Sequence, residues 1–117
     1  MADAATPSGL LVVREGSRTV ILVAAEIVWI EAAANYARIH SGGETIVIRE
    51  TIQRLLARLD PTRFVRIHRS RIVNTERVRE VMSGGAGPRE VVLHDGTRIR
   101  ASRDGRLRLM ERFTKTG

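Results

Sequence analysis

Arginine supplies most of the chemistry open to this chain. Between Arg63 and Arg79 stand Arg63, Arg66, Arg69, Arg71, Arg77 and Arg79, opposed only by Glu76. A second cluster holds Arg98, Arg100, Arg103, Arg106, Arg108 and Arg112, against Asp104 and Glu111. Of the 20 basic residues only Lys115 is a lysine. A guanidinium is a planar fork of donors that matches phosphate oxygens and the guanine edge, whereas an ammonium is a point charge. Codon bias in a GC-rich genome accounts equally well for the ratio of arginine to lysine. It does not account for the excess of positive charge. Against 13 acidic residues the formal net charge is +7, which attracts polyanions: nucleic acid, an acidic membrane surface or an acidic partner. The first half of the chain is close to balanced, so the two basic segments point to loops or edges presented to one partner.

Other chemistries have little to work with. The 3 histidines, His40, His68 and His94, are scattered and lack metal-binding spacing. There is no phosphate loop before a lysine, no nucleophile elbow and no carboxylate pair in a motif, so no catalytic or metal-ligating residue is expected, and no cofactor. The absence of cysteine excludes a disulfide scaffold, a zinc finger and a thiol nucleophile, and it suits the cytoplasm. No apolar run approaches the roughly 18 residues that span a membrane. Aromatic residues are limited to Trp29, Tyr36, Phe64 and Phe113, with Trp29 and Phe64 expected in the core. Single-stranded and RNA readers stack bases on aromatic platforms, and those are missing here.

Three stretches combine polar groups in a way that suits duplex DNA. The first runs from Ile30 to Ile39 and carries Asn35 and Arg38; its bland alternative is an ordinary turn in which Asn35 takes the left-handed position and Tyr36 caps the core. The second, Phe64 to Asn74, interrupts two apolar runs with His68, Arg69 and Ser70. Four arginines within nine residues, Arg63, Arg66, Arg69 and Arg71, cannot all be buried, since an unpaired charge costs several kcal/mol to desolvate. A solvated basic edge strand is the alternative, with His68 half-buried and satisfied. Arg69 and Ser70 together nevertheless supply a base-edge fork and a phosphate donor. The third stretch, Leu93 to Arg103, ends in Ser102 and Arg103 at the mouth of a helix, where free backbone N–H groups favour an anion. Its plain reading is a capped helix with one exposed arginine.

The elements that must position these groups are short strands. Leu10–Arg14 and Arg18–Val23 flank Glu15-Gly16-Ser17, and Ile27–Ile30 follows. Tyr36–His40 and Thr45–Ile48 flank Ser41-Gly42-Gly43-Glu44. Val78–Met82, Glu90–Leu93 and Thr97–Arg100 are divided by Gly84-Gly85-Ala86-Gly87-Pro88 and by His94-Asp95-Gly96. Strands at such spacing, with turn chemistry between them, imply antiparallel β-structure. Ile52, Leu55, Leu56 and Leu59 share one helical face, capped by Thr51 and stopped at Asp60-Pro61, so a short helix is expected over about 51–59. A C-terminal helical turn is expected over about 104–113, with Ser102 as cap and Leu107, Met110 and Phe113 on one face. No second helix follows at helix-turn-helix spacing, so any reading of DNA is done from loops. Residues 1–9 are expected to be a leader or linker remnant, without the basic and apolar regions of a secretory signal, and residues 10–117 one domain.

Taken in order, these stretches resemble the LytTR family of DNA-binding domains, over nearly the whole chain from about Leu11 to Phe113. The matching residues are Ile-Glu-Ala followed by Asn35-Tyr36, then Phe64 to Asn74 with its His68-Arg69-Ser70 centre, then Leu93, Asp95-Gly96 and Ser102-Arg103, with a short helix between the first two. The resemblance implies a mainly β fold of small elongated antiparallel sheets, roughly ten strands in all. It implies sequence-specific binding of double-stranded DNA, with loops entering successive major grooves on paired direct repeats, and possible pairing of two copies on that DNA. By position, Asn35 and Arg38, then His68, Arg69 and Ser70, then Ser102 and Arg103 form the DNA-binding set. Arg38, Arg69 and Arg103 suit base edges; Asn35, Ser70 and Ser102 suit phosphates; His68 has the alternative role of orienting its loop from within. Glu31 is expected to pair with an arginine. No small-molecule substrate and no membrane are implied.

Relatives of this kind usually carry a receiver or membrane domain ahead of the module, and residues 1–10 supply neither. An excised output domain and a stand-alone member are both compatible with that. The competing functional reading is a basic protein-interaction module acting on an acidic partner or on a full-length relative.

Overall fold

The computed structural model describes residues 9–82, 85 and 89–116. The expected leader therefore lies almost wholly outside the described residues, as does most of the turn at 84–88. Ten strands form three antiparallel sheets. A hairpin pairs β1 (Leu10–Glu15) with β2 (Arg18–Val23). The central sheet has five strands in the order β5-β4-β3-β7-β6, namely β3 (Ile27–Ala33), β4 (Tyr36–Ser41), β5 (Glu44–Ile48), β6 (Phe64–His68) and β7 (Arg71–Asn74). The third sheet runs β10-β9-β8, from Val78–Val81, Glu90–Leu93 and Arg98–Arg100 as β8, β9 and β10. Helix α1 spans Ile52–Ala57 and α2 spans Arg103–Thr116. The turns form where the residues permit them: Gly42 and Gly43, both at positive φ (55° and 84°), close the β4–β5 hairpin.

The central sheet is buried on both faces where β6 and β7 lie. Side chains alternate across a strand, so neighbours enter different cores. Phe64 and Ile72 join Leu11, Val13, Ile30, Ile39 and Leu55 in one. Val65 and Val73 join Ile67, Val91, Leu93, Ile99 and Leu109 in the other. This double commitment is why the second stretch carries unbroken apolar pairs rather than strict alternation. The free edge at β5 is partly covered: the Val47 N–H donates to the Glu15 carboxylate at 2.9 Å.

Three expectations change. Helix α1 ends at Ala57, and Leu59 is buried beyond it. Helix α2 is longer than the expected turn, and its buried face is Gly105 and Leu109 with Phe113 packed behind, not Leu107 and Met110. Those two are 52% and 36% exposed, because docking against β6 rotates the helix to bring Gly105 onto the strand. Trp29 is half-buried at the rim of the second core, its ring stacked on His40 at 4.5 Å.

Candidate nucleic-acid interface

The β6–β7 turn, Arg69-Ser70, ties the three stretches together. A bulge between Arg66 and His68 takes Ile67 out of the strand ladder. Its carbonyl is then free to accept the Ser102 N–H at 2.8 Å. On the other side the Ser70 carbonyl accepts the Ala32 N–H at 2.9 Å. The first and third stretches are thus held to the second by backbone bonds, which do not depend on long side chains keeping one rotamer. Two arginines add to the lacing. Arg71 Nη1 donates to the Arg100 carbonyl at 3.1 Å, and Arg66 Nη2 donates to the Arg69 carbonyl.

Within the turn, the Ser70 N–H donates to His68 Nδ1 at 3.2 Å, with Ser70 Oγ at 3.0 Å from the same nitrogen. An imidazole that accepts at Nδ1 is neutral and carries its proton on Nε2. Burial, followed by the charges of Arg71, Arg69 and Arg66, holds the His68 pKa below its ordinary value and so favours that form. His68 therefore shapes the turn from within.

Ser102 is the N-cap of α2. Its Oγ accepts the Gly105 N–H at 2.9 Å and lies 3.4 Å from the Ile67 carbonyl. Asn35 is exposed at the tip of the β3–β4 hairpin. Contrary to the sequence reading, Ala34 and not Asn35 takes the positive φ, at 56°. Tyr36 does not cap the core; it is 46% exposed, with Arg49 over its ring. Arg38, Arg69 and Arg103 are exposed, and among the described residues none makes a side-chain hydrogen bond or ion pair.

Glu31 departs from expectation. Arg38 and Arg71 flank it in the ladder, yet its carboxylate bonds His40 Nε2 at 2.8 Å. His40 is held from its other nitrogen by Thr45 Oγ1 at 3.2 Å. With Glu31 occupied, Arg38 keeps its donors. Sequence reasoning missed Arg66 and Arg71, which looked like more surface charge, and also Gly105. A glycine inside a helix is a signal of close packing, because it costs up to about 1 kcal/mol relative to alanine.

Among the described residues no group of three histidine, aspartate or glutamate side chains is placed to hold a metal, and no helix is long and apolar enough to cross a membrane.

An antiparallel β domain that ties three arginine-bearing segments to one turn, with neither helix placed as a helix-turn-helix reader, is a loop-presenting basic module. The chain belongs to the LytTR family, described as the LytTr DNA-binding domain, which it matches over residues 17–114. Over 65 residues it is 35% identical to the transcriptional regulatory protein LytR of Staphylococcus aureus, in strain N315 and equally in strain COL. Each match takes in 56% of this chain and 26% of the relative, so the chain spans about a quarter of those proteins' length. Among solved structures it is similar to the LytTr DNA-binding domain of a Bacillus cereus protein described as a methyl-accepting/DNA response regulator. That likeness has a TM-score of 0.77 and 15% identity, and covers 90% of this chain and 96% of the other. At that identity it speaks for the fold.

Proposed function

We propose that this domain is the DNA-reading module of a cytoplasmic transcriptional regulator and reads duplex DNA from its loops. Arg38, Arg69 and Arg103 address base edges in the major groove, with guanine as the natural target. Asn35, Ser70 and Ser102 address phosphates, and His68 orients the second loop. The Ser102 hydroxyl accepts the Gly105 N–H and donates to the Ile67 carbonyl at 3.4 Å, a long bond that a phosphate oxygen can replace as acceptor. The observation that carries this reading is the set of three partnerless arginines on segments laced to one turn. Guanidinium groups carried on segments held at fixed spacing, and left unpaired, break no internal salt bridge on meeting DNA. The long axis of 46 Å supports contact across more than one turn of duplex, which rises about 34 Å per turn. Tandem direct repeats, occupied by two copies that pair on the DNA, are the matching target.

The deciding experiment is selection of duplexes from a random pool by the purified chain near physiological salt. Enrichment of a short repeated motif is expected. Salt-sensitive binding without any motif overturns sequence-specific reading and brings forward an acidic protein partner.

A further inference from the structure

We propose that the groove between the first and second loops seats a phosphodiester of the DNA strand, with Gln53 and Arg66 as contacts outside the set above. The proposal rests on the DNA-binding reading and extends it to helix α1. The groove has a volume of about 330 Å³ and brings together Ala32 and Ala34 of the first loop, Arg66, Arg69 and Ser70 of the second, and Gln53 of α1. No carboxylate lines it. Its polar side chains are two guanidinium groups, the hydroxyls of Ser70 and Thr51 and the Gln53 amide, all of which can donate.

The two alanines matter as much as the donors. Small side chains on one wall let a sugar-phosphate strand approach the protein closely. The Ala32 N–H to Ser70 carbonyl bond fixes the width of the groove at its base. Arg66 is committed through Nη2 alone, to the Arg69 carbonyl, and its Nε is buried with no hydrogen-bond partner. A guanidinium has five N–H donors; with Nε buried and Nη2 bonded, Nη1 is the nitrogen left to meet a phosphate. Gln53 is exposed on the first turn of α1, and no side-chain hydrogen bond holds it among the described residues. An amide N–H there is a phosphate donor of the ordinary kind.

Gln53 also gives the clean test, because an exposed side chain is changed without disturbing the fold. The affinity of the full chain for its selected duplex and for random duplex is measured for wild type, Gln53→Glu, Gln53→Lys and Ala25→Glu. Ala25 is exposed in the short 3-10 turn Ala24–Glu26 that precedes β3, at the other end of that strand from the first loop, and serves as the charge control. A carboxylate facing a phosphate is a like-charge contact, so Gln53→Glu is expected to weaken both duplexes by at least about tenfold. Gln53→Lys is expected to strengthen both and to steepen the salt slope by about one. A scan with single neutral methylphosphonates then locates the partner: at one backbone position the wild-type affinity falls and the Gln53→Glu penalty shrinks. If Gln53→Glu loses no more than Ala25→Glu, or no backbone position couples to it, the groove assignment is overturned. Failure of the wild type to bind any duplex is a different result; it removes the DNA-binding reading and the groove with it.

Discussion

A methyl group on Gly105 would lie 1.9 Å from the carbonyl oxygen of Ile67. No other described glycine meets backbone that closely. The contact is the hinge between chemistry and fold: the bulge that exposes the Ile67 carbonyl to Ser102 also draws α2 down until only a glycine fits. Gly105→Ala gains up to about 1 kcal/mol of helix propensity. It also forces the helix off β6 and pulls the Ser102 N–H from its acceptor. Overpacking and a lost buried bond outweigh the gain, so a net loss of about 2–4 kcal/mol is expected in chemical denaturation. DNA affinity should fall as well, since Arg103 rides on the displaced turn.

His68 makes stability depend on pH in a defined direction. Its folded pKa lies below the ordinary 6.5, so between the two values the folded protein binds fewer protons than the unfolded chain. The stability tied to this group is complete above 6.5 and is lost as pH falls through the folded value. Protonation also removes the Nδ1 lone pair that accepts the Ser70 N–H. His68→Asn keeps an acceptor and removes the titration. Unfolding midpoints for both proteins between pH 7.5 and 5.5 should diverge, with the wild type losing more. Parallel curves would mean that His68 does not hold the turn as a neutral acceptor; His40 and His94 are common to both and cancel.

Ala34 carries strain in the hairpin tip. A residue with a Cβ at φ 56° costs about 1–2 kcal/mol, while a glycine there costs about 0.4–1 kcal/mol through the freer unfolded chain. The first effect is larger. Ala34→Gly is expected to stabilise by about 0.5 kcal/mol, a rise of about 2–4 °C in the melting midpoint of a domain this size.

Much of this fold is legible in the sequence because the turns are chemically explicit. Gly16, Gly42-Gly43 and Asp95-Gly96 mark the hairpins, and Thr51 and Ser102 cap the two helices where expected. The site is legible only as a set of segments. That Ser70 reaches Ala32 and Ile67 reaches Ser102 depends on a bulge and on a sheet buried on both faces, and neither leaves a local pattern. Asn74 illustrates the same limit. It is fully buried, donating to the Ile27 carbonyl at 2.9 Å and accepting the Glu76 N–H at 3.0 Å, yet in sequence it is only the polar end of an apolar run. Helix α2 misled for a related reason: Leu107 and Met110 obey helical periodicity, but the close approach at Gly105 decides which face turns inward.

The three arginines should separate from the phosphate contacts by what they do to specificity. Arg38→Ala, Arg69→Ala and Arg103→Ala are each expected to cost about 1–3 kcal/mol on the selected duplex and less on random duplex, so the ratio between them falls. Asn35→Ala should lower both affinities alike. Neutralising about six phosphates implies a fall of about a thousandfold in affinity between 50 and 200 mM salt. An arginine that reads only a base edge leaves that slope nearly unchanged when removed, whereas one that contacts backbone flattens it by about 0.9. Equal losses on both duplexes with a flattened slope would reassign that arginine to the backbone. Because the three segments are tied to one turn by backbone bonds that side-chain truncation leaves intact, the double substitution of Arg69 with Arg103 should be additive. Marked non-additivity would mean that the two side chains share a contact or that one substitution moves the turn.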